Sequence, residues 1–227
     1  MNMRNVNIVA RYESKLLRRD IVFLGFVVIA LVGISLWQMI KQGRVNVFWY
    51  KVALPSSFPF FSMYYYNLVQ VLIALFVCME VVYRERKKDA MEVFLCRPFR
   101  NSEYCIGRFL GIFRMFLFVN ICVLLVCMYI NLWVVGAPFN VWIYVFYLLT
   151  LSLPTLIFVL GCALCISGMV KNRPVSVLVL GLWGLGVYFY LDEWQFGAFD
   201  FWGRNLPNIF SDVVGHPDLR GYLLHRL

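Results

Sequence analysis

Ile21 to Ile40, IVFLGFVVIALVGISLWQMI, runs for 20 residues without a single charged side chain. As a helix rising ~1.5 Å per residue it reaches about 30 Å, the depth of a bilayer's hydrocarbon core. Four more apolar runs follow, Phe60–Tyr83, Phe109–Val135, Trp142–Val170 and Val175–Leu191. Hydrocarbon offers backbone N–H and C=O groups no water, so runs of this length satisfy them internally as helices. The expectation is an all-α integral membrane protein, a polytopic helical bundle with five transmembrane helices across residues 21–191.

The composition agrees, at 62% hydrophobic and 15% charged against roughly half and a quarter in soluble domains. A net charge of +9 raises the question of nucleic acid. The cations lie between apolar runs, where the positive-inside rule accounts for them, so no nucleic-acid partner is expected. Fourteen of the 21 Lys and Arg fall before the first run, between the second and third, or after the fourth. That bias places the N-terminus in the cytoplasm and the chain in the cell (cytoplasmic) membrane as a multi-pass protein.

Residues 1–20 carry Val6, Val9, Tyr12, Leu16 and Leu17 at helical spacing among Arg4, Arg11, Lys15, Arg18 and Arg19. The pattern predicts an amphipathic helix on the inner membrane surface. The outer loop Lys41–Pro59 precedes Tyr64, Tyr65 and Tyr66, expected as an interfacial aromatic belt. Pro154 should kink the fourth run, and Gly161, Gly168, Gly181, Gly184 and Gly186 suggest close helix packing. Glu80 and Arg114 lie in the inner turns of their runs, Glu80 three residues before Tyr83 and Arg114 five after Phe109. They either form an inner-leaflet ion pair or snorkel separately to the surface.

Cys162 and Cys165 form a C-x-x-C in GCALCISG, with no second ligand pair and no nearby His. They read as packing residues, and no metal or cofactor is expected in this chain. His216 and His225, the only histidines, are isolated. Residues 192–227 are expected outside as a helical segment. Pro207 to Gly215 forms one short helix there, and a second starts at Pro217–Asp218 and turns apolar through Leu223 and Leu224. A sixth span is expected to follow.

The cytoplasmic loop 84–108, RERKKDAMEVFLCRPFRNSEYCIGR, holds seven of the 21 basic residues and a buried-type set as well. Arg86 to Cys96 can form a helix with Ala90, Met91, Phe94 and Leu95 on one face, ended by Pro98. Such a face fits either a soluble partner or the inner ends of the chain's own helices. No G-x-x-x-x-G-K-[ST], H-E-x-x-H or G-x-S-x-G occurs. An enzyme is not expected, and any energy must come from a partner.

This order of parts, with ARYESKLLRRD before the first run and EVVYRERKKDAMEVFLCRPFRNSEYCIGRFLG between the second and third, resembles the permease subunit of ATP-binding-cassette transporters of the type-2 exporter kind. The resemblance covers nearly the whole chain and is carried by pattern, including Arg97-Pro98, Glu103-Tyr104, Gly107 and Gly111. It implies a coupling helix at Ala90, Met91, Phe94, Leu95 and Arg97 that docks an ABC ATPase subunit. It also implies a homo- or heterodimer of permeases in membrane lipid, with ATP and Mg held by the partner. A non-transporting membrane scaffold or assembly protein is the competing reading. A small secondary transporter is disfavoured by the lack of intramembrane ionisable clusters.

Overall fold

The computed structural model describes residues 2–43, 57–85, 100–133, 139–170, 172–189 and 219–226. Helices are α1 (Met3–Arg19), α2 (Ile21–Gly43), α3 (Ser57–Glu85), α4 (Asn101–Trp133), α5 (Val141–Tyr147), α6 (Leu153–Met169), α7 (Arg173–Phe189) and α8 (Leu219–Arg226). A π-helical turn, Leu148–Ser152, joins α5 to α6. No strand occurs among the described residues.

Three helical rods are long and apolar enough to cross a membrane: α3, α4 and the continuous α5–π–α6. The α1–α2 pair, bent by 71° at Asp20, makes a fourth by the same test, and α7 contributes the shorter apolar stretch Pro174–Gly186. The expected helix over Leu223 and Leu224 is present as α8. The candidate coupling helix, with Ala90, Met91, Phe94, Leu95 and Arg97, lies outside the described residues, as does the expected Pro207–Gly215 helix.

The bundle packs around α3, whose apolar stretch is 61% buried against 44% for α4 and for α5–α6. Phe23, Phe26, Ala30 and Ile34 of α2 recur every three or four residues and form its inner stripe. Phe23 and Phe26 close on Phe116 of α4, with ring centroids 5.5 and 5.7 Å away. The opposite side of α2, Ile21, Val22, Leu24, Val28, Ile29 and Val32, stays exposed. Lipid is the natural solvent for such a face.

Tyr66 departs from the expected belt. It is fully buried in the core while Tyr64 and Tyr65 are half-buried. The cause is helical phase: Met63, Tyr66, Gln70 and Ala74 repeat at three and four residues and all turn inward.

Pro154 takes effect one turn ahead of itself. It lacks an N–H and its ring crowds the carbonyl four residues back, at Thr150. The chain widens there, and Leu153 N–H reaches the Leu148 carbonyl, five residues away. The glycines expected to seat neighbours do not all do so. A Cβ built at Gly161, Gly168, Gly181 or Gly186 would meet nothing within 4 Å. Close approach occurs instead at Gly107 and Gly111.

Candidate functional site

The basic segment after α3 is fastened to the bundle at both ends. At its start, Arg84 pairs with Asp20, the residue where α1 gives way to α2. Asp20 serves three elements. Its N–H closes α1 on the Leu17 carbonyl at 3.1 Å, its Oδ1 accepts from the N–H groups of Val22 at 2.9 Å and Phe23 at 3.5 Å, and its Oδ2 takes the Arg84 guanidinium. A short acidic side chain ahead of an apolar run is a favourable N-cap, since it satisfies donors that the first turn leaves open.

At the far end the polar lead of α4, before Phe109, packs along α1 in the most extensive helix contact among the described residues. The two backbones meet across Gly107 and Gly111. A Cβ at 107 would lie 2.7 Å from Val9 Cβ and 2.8 Å from the Val6 carbonyl oxygen; one at 111 would lie 2.7 Å from Glu13 Cβ and 2.8 Å from the Ala10 oxygen. Only glycine fits, and the spacing is the small-x-x-x-small groove that brings helices together in membranes. The paired residue numbers ascend together along both helices, so α1 and α4 run in the same direction here.

Polar groups lock the register. Glu103 accepts from Asn2 N–H at 2.6 Å and Asn5 Nδ2 at 3.0 Å. These donors, the Asn2 N–H first, favour the carboxylate and hold the Glu103 pKa below its ordinary value. Ser14 Oγ lies 2.8 Å from the Ala10 oxygen and 3.0 Å from the Gly111 oxygen. Arg108 is buried with Glu13, Nε to Oε1 at 4.0 Å, and its guanidinium stands 5.8 Å above the Tyr104 ring. A buried cation of this kind needs both its counter-charge and the ring face.

Of the two residues considered as an inner-leaflet ion pair, Arg114 is exposed on α4 and donates to Asn7 Oδ1 at 3.0 Å. Glu80 is half-buried on α3. Arg114 is thus engaged by α1, a helix that sequence spacing gave no reason to place beside it. Among the described residues no group of three or more His, Cys, Asp or Glu side chains is placed to hold a metal ion.

A second polar set lies inside the bundle. Asn120 of α4 spends its two Nδ2 hydrogens on Gln70 Oε1 of α3 and the Phe116 carbonyl, both at 2.8 Å, and its Oδ1 accepts from Ser152 Oγ of the π turn. All three side chains are fully buried. On the other side of that turn, Thr150 Oγ1 gives its hydrogen to the Phe146 carbonyl at 2.8 Å, so the Tyr222 hydroxyl, 2.8 Å away, is the donor to Thr150. Tyr222 thereby fixes α8 in an aromatic nest with Phe146 at 5.7 Å and Tyr147 at 6.5 Å between centroids.

Between α3 and α7 runs an apolar groove of about 240 Å³, lined by Leu72, Leu75, Phe76, Val177, Gly181 and Leu185 among others. None of these sites presents a nucleophile with a base beside it. What the geometry offers is mechanical: a polar, glycine-seated joint that ties the two ends of one loop to three helices. No protein-family model matches the chain, and neither the curated proteins nor the solved structures contain a match to it.

Proposed function

We propose that the chain is the membrane-spanning permease subunit of an ATP-binding-cassette transporter, an exporter driven by a separate ATPase subunit that docks on the 84–108 loop. In this reading the chain crosses the cytoplasmic membrane five times with its N-terminus inside. It works as a homo- or heterodimer of permeases, and ATP and Mg belong to the partner. The observation that supports it is the fastening of both loop ends. Displacement of residues 86–99 would pull on α2 and α3 through Asp20–Arg84, and on α4 through the α1 contact at Gly107 and Gly111. A loop that only set topology would need neither anchor. Closure of an ATPase pair against Ala90, Met91, Phe94, Leu95 and Arg97 is then converted into tilting of packed helices.

The test is association. A P-loop ATPase should co-purify with the chain, and Phe94→Asp or Leu95→Asp should abolish that association while leaving the protein in the membrane. If both variants retain the ATPase in full, the docking assignment is wrong. If no ATPase associates with the unaltered chain, the scaffold reading replaces the transporter.

A further inference from the structure

The surface of α1 is divided by the fold. Val6, Val9, Ala10, Glu13 and Leu17 are buried. All five cations of the helix, Arg4, Arg11, Lys15, Arg18 and Arg19, are exposed. Beside them Ile8 and Tyr12 are 49% and 52% exposed, and Leu16 is half-buried. At ~100° per residue Ile8, Tyr12 and Leu16 stack at i, i+4 and i+8 into one apolar strip, flanked by Arg4, Arg11, Lys15 and Arg19.

No carboxylate on α1 or at its joints with α2 and α4 answers these cations. Glu13 is buried on the opposite side near Arg108, Asp20 is committed to Arg84 and the α2 cap, and Glu103 to Asn2 and Asn5. The sequence alone reads α1 with its acid and bases interspersed; the fold sorts them, and a cationic face with an apolar edge is what remains outside.

Its depth is also set. Ile21 and Val22, 85% and 64% exposed, begin the lipid-facing side of α2 directly after Arg18 and Arg19. The last turn of α1 therefore sits where hydrocarbon gives way to headgroups. The 71° bend at Asp20 turns the axis of α1 away from that of α2. We propose that the outer face of α1 binds the anionic phosphodiester headgroups of acidic phospholipids in the leaflet beside the basic loop. Arg4, Arg11, Lys15, Arg18 and Arg19 meet the phosphates, and Ile8, Tyr12 and Leu16 settle at the acyl boundary. This inference rests on the placement of α1 and stands or falls independently of the transporter reading.

The experiment is hydrogen–deuterium exchange on the full chain in nanodiscs of phosphatidylcholine alone or mixed with phosphatidylglycerol. Amides of residues 3–19 should exchange several-fold more slowly in the mixed discs, and high salt should remove the difference. The triple variant Arg4→Gln, Arg11→Gln, Lys15→Gln should lose the lipid effect while residues 101–111 of α4 keep their exchange rates. Arg4→Lys with Arg11→Lys should keep it, because charge is preserved. Inorganic phosphate added to the neutral discs should change nothing. Equal exchange in the two lipids overturns the proposal, as does slowing that persists in the triple variant. Slowing reproduced by free phosphate, or produced only by an added acidic soluble protein, overturns it as well.

Discussion

Gly111 lies so close to Glu13 that a Cβ at 111 would stand 2.7 Å from the Glu13 Cβ, closer than two carbons can pack. Gly111→Ala should therefore force α1 off α4. The expected cost is about 1–3 kcal/mol, the usual range for overpacking, read as a fall of several degrees in the thermal midpoint in detergent. Gly33→Ala, with nothing within 4 Å, is the matched control and should be neutral or slightly stabilising. Equal behaviour of the two variants would show that the α1–α4 contact is not tight.

Asp20 separates its two roles by substitution. Asp20→Asn keeps a side-chain acceptor for Val22 and Phe23 but removes the charge facing Arg84, a partly exposed pair that contributes at most about 1 kcal/mol. Asp20→Ala removes the cap as well and should cost about 1 kcal/mol more. Thermal unfolding of both variants checks the order. If Asn is as damaging as Ala, the charge pair outweighs the cap.

Glu103 sets a pH dependence. Its carboxyl is held below the ordinary value of 4.5 by the Asn2 N–H and the Asn5 amide. A depressed folded-state pKa gives stability that is present above 4.5 and is lost as the pH falls through the folded value. The thermal midpoint of the unaltered chain should thus decline on acidification below 4.5, and Glu103→Gln should flatten that decline. A parallel pH profile in the variant would mean that Glu103 does not carry the dependence.

Tyr222 holds α8 in two ways. Tyr222→Phe loses the bond to Thr150 and should cost about 1 kcal/mol; Tyr222→Ala also empties the aromatic nest and should cost about 3 kcal/mol or more. Hydrogen exchange over 219–226 should rise sharply in the alanine variant and slightly in the phenylalanine one. Unchanged exchange in the alanine variant would show that α8 is held by something else.

Much of the fold is legible from one property, the length of apolar runs. These mark α2, α3, α4, α5–α6 and α7 to within a few residues at their apolar cores. The helix ends are less legible: α4 starts at Asn101, eight residues before Phe109, because its polar lead is helical against α1 rather than against lipid. Gly107 and Gly111 carried a readable signal, small residues four apart on one helix. Without knowing the partner helix, the closely spaced glycines at 181 and 186 look no less like a packing site, yet a Cβ there meets open space. Gln70, Asn120 and Ser152 lie 50 and 32 residues apart, so no spacing rule could join them. Glu13 and Arg108 meet across the α1–α4 contact, a pairing that no local spacing in either segment shows.

The π turn at Leu148–Ser152 is, in effect, one residue spliced into a rod that would otherwise be a single α-helix. Each residue advances an α-helix by ~100°, so that splice resets the azimuth of everything downstream. Leu156, Val159, Leu160 and Ala163 point into the core only because of it. Deleting Leu149, the exposed residue of the turn, would keep every side chain that packs there, yet swing α6 round so that its apolar seam faces away from α3.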